Sequence, residues 1–550
     1  MQVVFDSDAN GDGITDLVLG KATAFEVTAH VNNPGSLPAQ VPVELTFEGA
    51  SYRQNIQITA SGTFDTKLVF NPSPPIRPTS TGITHVLATI DPDNIVVESD
   101  ETNNRNSKTV DVKSTVPFRL AYVPLSNPIA DAAFLQDAAL ARQKSDEFLL
   151  TTYPLADSQF SSFLTTPVPA DPSGASCISL DCPPTLGELA AVARNATTTI
   201  NDFLTLRLVG FLHGADRVVG IVPKNYFSLH GLCGYTGLTM KTVGSSIAAE
   251  GFWTAVAHEI GHTYGLPLVG SEEYSSCPVK TNGNIASAGY WVAKSKPIDP
   301  LANGCDPANG VDLNCIRCFM GTAAEANGVD PRNGRWIELP DFDHLFQQLL
   351  VNKTDPFVLL VTGTLSQDNR LSLGQWAFGA GVADDVADSD VVVDMLDING
   401  QKLAQIPIPI SFTWFLEGFG AVDTQSTIFA RQISLLPGAV RLQFTRGNTV
   451  LLTQNLITKL VSDAINLVPD VGFVGPALQR RMALQNMIGA MDSMMAAQNF
   501  MGARQKLSTS FTNAVANWLL DDYPLNNATG ISKKQVMSLI GAMANQIGSP

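Results

Sequence analysis

The residues best equipped for chemistry are His258, Glu259 and His262, in the run His258-Glu259-Ile260-Gly261-His262. Positions i and i+4 share one face of an α-helix, so both imidazoles can reach a single metal ion. Glu259, one residue after the first histidine, then sits beside such an ion, where a carboxylate acts as general base for water. The helix that must carry them is predicted over 245–265, from a Ser245-Ser246 start to a Gly265 stop. Two histidines alone hold metal weakly, and a catalytic zinc takes three protein ligands. Glu272 and Glu273, in the segment GSEEY, are the nearest carboxylates after His262. Either would complete a His2Glu set, with Glu273 ahead of Glu272 and the other free to orient a ligating histidine. The plainer alternative makes both of them surface acids.

Gly265 stands three residues after His262, where a left-handed turn would end the helix and swing the chain back under the metal. The pattern H-E-x-x-H-x-x-G is followed by Cys318-Phe319-Met320-Gly321 in the order of a Met-turn, and by Trp336-Ile337 ahead of a helix at 341–351. Together these resemble the metzincins, a family of zinc endopeptidases, over roughly residues 118–351. The resemblance implies a zincin-like α/β metalloprotease domain, Zn2+ as cofactor and a protein or peptide substrate. It also implies Met320 as a hydrophobic floor under the ligands, and an edge strand within Gly231–Met240 that pairs with substrate backbone. The sequence departs from the family at two places. The third ligand should fall at position 268, which is Leu268, and leucine cannot bind zinc. The tyrosine that some members carry two residues after the methionine is here Thr322. Tyr274 and Tyr290 are candidates for that oxyanion donor, although a structural role is the plainer reading of each. His30, His85, His213, His230 and His344 have no motif around them and read as surface or core. The implied reaction is peptide-bond hydrolysis, with Glu259 passing a proton from water to the leaving amine. The alternative is a catalytically inactive protease scaffold that works as an adhesin or extracellular binding protein.

The composition limits the partners. The chain has 550 residues, room for three to four domains. Charged residues are only 15 % and mean hydropathy is +0.10, which excludes a disordered tail or a coiled coil. With 51 Asp+Glu against 34 Lys+Arg, little is available to neutralise phosphates, so nucleic acid is not an expected partner. No apolar run approaches the ~20 residues that span a bilayer. The opening MQVVFDSDANGDG has neither the basic nor the apolar region of a signal peptide. All seven cysteines (Cys177, Cys182, Cys233, Cys277, Cys305, Cys315 and Cys318) lie in one window rich in Gly, Asn and Pro. They read as loop staples of a protein in an oxidising compartment, and their odd number leaves at least one thiol free or paired between molecules. A zinc site at Cys315/Cys318 is the rival reading, but it lacks a second pair of matching spacing.

The elements are legible as alternating blocks. Residues 20–115 read as short strands separated by NNPGS, PSPP and DPDN, a β-sandwich of about seven strands. Its segment DPDNIVVESDETNN (91–104) resembles the end of a CARDB-type domain, an adhesion-related β-sandwich of secreted bacterial and archaeal proteins. That implies an accessory module with cell-surface or polymer contacts. Ahead of it, Asp8, Asn10, Asp12, Ile14 and Asp16 offer oxygen at alternate positions, resembling a D-x-N-G-D-G-x-x-D calcium loop. Ca2+ is therefore a second expected cofactor, and a solvated acidic turn is the alternative. From 118 the pattern becomes strand (118–125), helix (130–153), helix (185–208), strand (216–223), short edge strand (237–244), metal helix, and closing helix (341–351). The expected fold class is multidomain α+β. It comprises a CARDB-like β-sandwich at 1–115, a zinc metallopeptidase domain at 116–353, an accessory β-sandwich at 354–455 and a helical unit at 456–550. The methionines of the last unit read as core filler.

Overall fold

The computed structural model describes residues 2–33, 35–126, 132–170, 199–232, 237–240, 243–266, 288–298, 317–320, 335–350, 355–384, 389–416, 420–525 and 528–548. The first unit has seven strands: β1 (Thr15–Val18), β2 (Phe25–Asn33), β3 (Gln40–Phe47), β4 (Ala50–Gln57), β5 (Gly62–Phe70), β6 (Gly82–Ile90) and β7 (Arg105–Lys113). A sheet in the order β1-β7-β6-β3-β4 shares one core with the β2-β5 pair. The alternation that predicts these strands is what fills that core: Val41, Val43, Leu45 and Phe47 all point inward from β3. β1 was not foreseen as a strand. It emerges from the acidic loop and runs parallel to β7.

The α/β unit contains β8 (Phe118–Ser126), α1 (Ala132–Thr152), β9 (Phe160–Leu164), β10 (Val168–Pro169), α2 (Ile200–Leu212), β11 (Arg217–Val222), β12 (Gly237–Met240), β13 (Ser245–Ala249), α3 (Trp253–Thr263) and α4 (Leu339–Leu349). β8 lies between β9/β10 and β11, and β13 and then β12 extend the sheet on the β11 side. All neighbours are parallel except β12, the edge strand, which is antiparallel to β13. Period two sends Leu120 and Tyr122 of β8 to the face covered by α1 and α3. Ala121, Val123 and Leu125 go to the opposite face, under α2.

The structure corrects the predicted helix over 245–265. Its first part is strand β13, a turn follows with Gly251 at φ +84°, and only Trp253–Thr263 is helical. Ser245 and Ser246 are buried strand residues, not a helix cap. The predicted helix over 185–208 is described only from residue 199, and there α2 runs on to Leu212.

Residues 2–9 do not belong to the sandwich core. Val3 and Val4 are buried among Trp336, Phe342 and Phe346 of the α/β unit. The Val3 carbonyl accepts from Tyr290 N (2.9 Å) and Trp336 Nε1 (3.2 Å). Lys21 is also buried at this seam, and its ammonium donates to Leu150 O near the end of α1 (2.7 Å).

In the rest of the chain, strands at 355–366, 371–373, 377–381 and 426–434 form one sheet, and strands at 391–396, 402–407, 441–446 and 449–455 form another. The helices that follow, α5 (Leu456–Leu467), α6 (Ala477–Ala496), α7 (Phe500–Lys506), α8 (Thr512–Trp518) and α9 (Lys533–Gln546), pack into the same core. The expected boundary at 455/456 therefore does not separate two cores. Met491, Met495 and Met543 are buried in it as filler, while Met482 and Met501 are exposed. This half is keyed to α2 by buried Arg207, which binds Asp384 (3.1 Å). Burial would push the Asp384 carboxyl up, but Arg207 and Arg431 hold it below its ordinary value. Among the described residues, no helix is long and apolar enough to cross a membrane.

Candidate metal centre

α3 places His258 and His262 on one face, as their spacing predicts. Each Nδ1 is fixed by a carbonyl: His258 Nδ1 is 2.9 Å from Phe319 O, and His262 Nδ1 is 3.0 Å from Leu266 O. A carbonyl can only accept, so both Nδ1 atoms carry hydrogen, and both Nε2 atoms present lone pairs. Those two Nε2 atoms face each other at 3.0 Å. Two lone pairs at that distance repel unless a proton or a cation lies between them. Two nitrogens on one tetrahedral zinc would be roughly 3.3 Å apart, given Zn–N near 2.0–2.1 Å. The 3.0 Å separation is therefore near that of two ligands on one such ion.

Local sequence accounts for the two carbonyls. Gly265 has φ +88°, the left-handed turn expected of it, and Leu266 N closes the turn onto Gly261 O (3.1 Å). That reversal brings Leu266 O beneath His262. Phe319 precedes Met320, and both are buried. Met320 Sδ lies against Gly261, the residue before His262, where a Cβ would stand 2.8 Å from the sulfur. Tyr153 Oη donates to Ala257 O (2.6 Å), and His344 Nε2 contacts Tyr264 O (2.8 Å), bracing both ends of the same helical segment.

Glu259 is buried, with its carboxylate turned to the edge strand. Thr239 Oγ1 on β12 donates to Glu259 Oε2 at 2.5 Å. A Cβ at Gly237 would collide with Glu259 Oε1, so the carboxylate fills the space that glycine leaves. Ser246, opposite Thr239 in the β12–β13 register, adds a hydroxyl 3.2 Å from Glu259 O.

Other expected residues fall elsewhere. Glu272, Glu273, Tyr274 and Leu268 lie outside the described residues, as do Thr322 and every cysteine except Cys318. Among the described residues, no group of three or more His, Cys, Asp or Glu gathers in a way that could hold a metal. Tyr290 is buried and packs with Ala24 and Val292 at the seam with the first sandwich, the structural placement. The acidic loop is closed on itself. Asp8 accepts from Asp12 N (3.0 Å) and Gly13 N (2.9 Å), Asp12 from Asn10 Nδ2 (2.7 Å) and Ile14 N (2.8 Å), and Asp16 from Ala9 N (2.9 Å). Asp16 also pairs with Lys113 at 2.7 Å. The loop docks on α4, through Ser7 to Asp343 (2.5 Å) and Gln347 to Ala9 O. Of the five remaining histidines, His30, His85, His213 and His230 are engaged elsewhere, with Asp65, Thr109, Ala528 and Tyr226, and His344 is the brace on Tyr264 O.

Sequence reading missed Thr239, Ser246, Tyr153 and His344. None has a motif, and each acts through a contact 20 or more residues away or across a strand pair.

Comparison with known proteins bears on the first unit. The sequence profile of the CARDB family matches residues 16–108. Two solved structures of a CARDB domain from Pyrococcus furiosus are similar to this part. One is a crystal structure described as a complex with di-metal ions, at 23 % identity, covering 18 % of this chain and 80 % of that one, with a TM-score of 0.15. The other is a solution NMR structure at 26 % identity, covering 18 % and 84 %, also with a TM-score of 0.15. No curated protein matches the chain. The seven-strand unit that precedes the histidine-bearing α/β layer, residues 16–108, is thus a CARDB domain.

Proposed function

We propose that the chain is a zinc-dependent endopeptidase whose CARDB domain and second sandwich are accessory. The observation that carries this reading is the histidine pair, with both Nδ1 atoms pinned by carbonyls and both Nε2 lone pairs converging at 3.0 Å. His258 and His262 would hold zinc, with Glu273 or Glu272 as the carboxylate expected to complete the set. Zinc, when bound, supplies a Lewis acid that polarises a carbonyl and acidifies water. Glu259 accepts the proton of the attacking water and returns it to the leaving amine. Edge strand β12 offers backbone groups along which an extended peptide can lie. Secretion or cell-surface display suits the cysteine-bearing loops and the CARDB domain. The test is hydrolysis of an unfolded polypeptide by zinc-loaded protein, set against Glu259→Gln. Equal cleavage by both would overturn the reading. A second reading, a non-catalytic binding protein, is favoured by Leu268, which stands where the metzincin pattern has its third ligand, and it predicts no zinc uptake at all.

The Gly265 turn gives a graded prediction. Gly265→Ala puts a Cβ on a residue at φ +88°, a cost of about 1–2 kcal/mol. The turn relaxes and Leu266 O leaves His262 Nδ1. Losing such a partner behind a ligand weakens metal affinity by roughly 10–100-fold. Competition with a chromophoric chelator measures it, and unchanged affinity would show that the turn does not orient His262.

A further inference from the structure

We propose that Thr239 is a positioning residue for Glu259, and that β12 is built as a seat for this carboxylate. The inference rests on the peptidase reading above. A glutamate has three rotatable bonds and no intrinsic preference for one place, while a general base has to be held to within about 0.5 Å of its working position. Two features of β12 supply that restraint. Gly237 and Thr239 lie on one face of the strand, two residues apart. At Gly237 the missing side chain leaves the space that Glu259 Oε1 occupies, since a Cβ there would stand 2.8 Å from both Cγ and Cδ. At Thr239 the hydroxyl is 2.5 Å from Oε2, the range of a charge-assisted bond.

Proton counting separates this arrangement from ordinary hydroxyl satisfaction. Thr239 has one proton and three acceptors in range: Glu259 Oε2 at 2.5 Å, Glu259 O at 2.9 Å and Ser246 Oγ at 3.0 Å. Glu259 Oε2, the closest of the three, takes the proton. Ser246 then donates to Glu259 O or to Thr239 Oγ1, and in the second case it locks the threonine rotor in its donating orientation. The strand that offers its edge to a peptide is therefore the strand that holds the base. A substrate that shifts β12 carries the carboxylate with it, so substrate and base stay in register.

The test uses the full chain with Thr239→Val, which keeps the shape and removes the donor, and Thr239→Ser, which keeps the donor. Zinc content, kcat and KM are measured on a peptide that the unmodified protein cleaves. Thr239→Val should lower kcat by about 10-fold or more with KM within about twofold, because only the placement of the base has changed. Zinc should stay at one per chain in both variants, and Thr239→Ser should recover most of kcat. Independently of activity, crystal structures should show the Glu259 carboxylate displaced from Gly237 in Thr239→Val and in place in Thr239→Ser. If Thr239→Val does not fold, Thr239→Ala replaces it. Unchanged kcat in a folded donor-less variant, or a carboxylate still seated at Gly237, would overturn the proposal. If Glu259→Gln cleaves as well as the unmodified protein, the peptidase reading fails, and the crystal structures still decide the seat.

Discussion

Glu259→Gln is expected to leave zinc bound and to cut peptide hydrolysis by about 10²–10⁴-fold, the usual contribution of a positioned general base. Glutamine matches the shape of glutamate and can still accept from Thr239 Oγ1, so the seat on β12 stays filled. It cannot take a proton from water. Its chain neighbour His258 keeps Nδ1 on Phe319 O, so the face that carries the two histidines is untouched. The discriminating measurement is kcat/KM alongside zinc content on the same preparation. Lost zinc with lost activity would mean that Glu259 is structural. Retained activity would mean that it is not the base.

Deleting residues 2–9 is expected to unfold the α/β unit, although these residues precede a sandwich that could pass for a detachable module. Val3 and Val4 are 0 % and 2 % exposed within the α/β core. Their loss removes about 1.5–3 kcal/mol each. Tyr290 N and Trp336 Nε1 would both lose the Val3 carbonyl, and each buried donor left unmade costs about 1–3 kcal/mol. Together these approach the ~5–15 kcal/mol that holds a domain folded. Met320 shares this core, so the helix face that carries His258 and His262 should loosen with it. Denaturant unfolding followed by tryptophan fluorescence reads the effect, since Trp291 and Trp336 lie beside the deleted segment. An unchanged midpoint would show that the segment is dispensable.

What could be read from the sequence was whatever is local. The i, i+4 histidines, the left-handed Gly265 and the alternating strands of the first sandwich are set by short-range geometry, and all are found as expected. The run SSIAAEG misled because every side chain of Ser245–Ala249 is buried. A strand covered on both faces loses its period and reads like the start of a helix. Ser245 donates to Phe203 O on α2 (3.0 Å), so this serine bridges two layers and does not cap a helix. Contacts between distant segments left no mark in the sequence. Val3 on Trp336, Thr239 on Glu259 and Arg207 on Asp384 each join residues that no periodicity links. Tyr290 is the same lesson reversed, since its type suggested an oxyanion donor and its packing at the domain seam makes it part of the wall.

Everything proposed for this chain depends on His258 and His262 sharing one metal ion. Zinc per chain, measured by elemental mass spectrometry on the 550-residue chain after zinc loading and desalting, tests it most directly, with His258→Ala and His262→Ala treated in parallel. One zinc per chain is expected in the unmodified protein and none retained by either variant. No zinc on the unmodified protein, or one zinc still held by both variants, would contradict it.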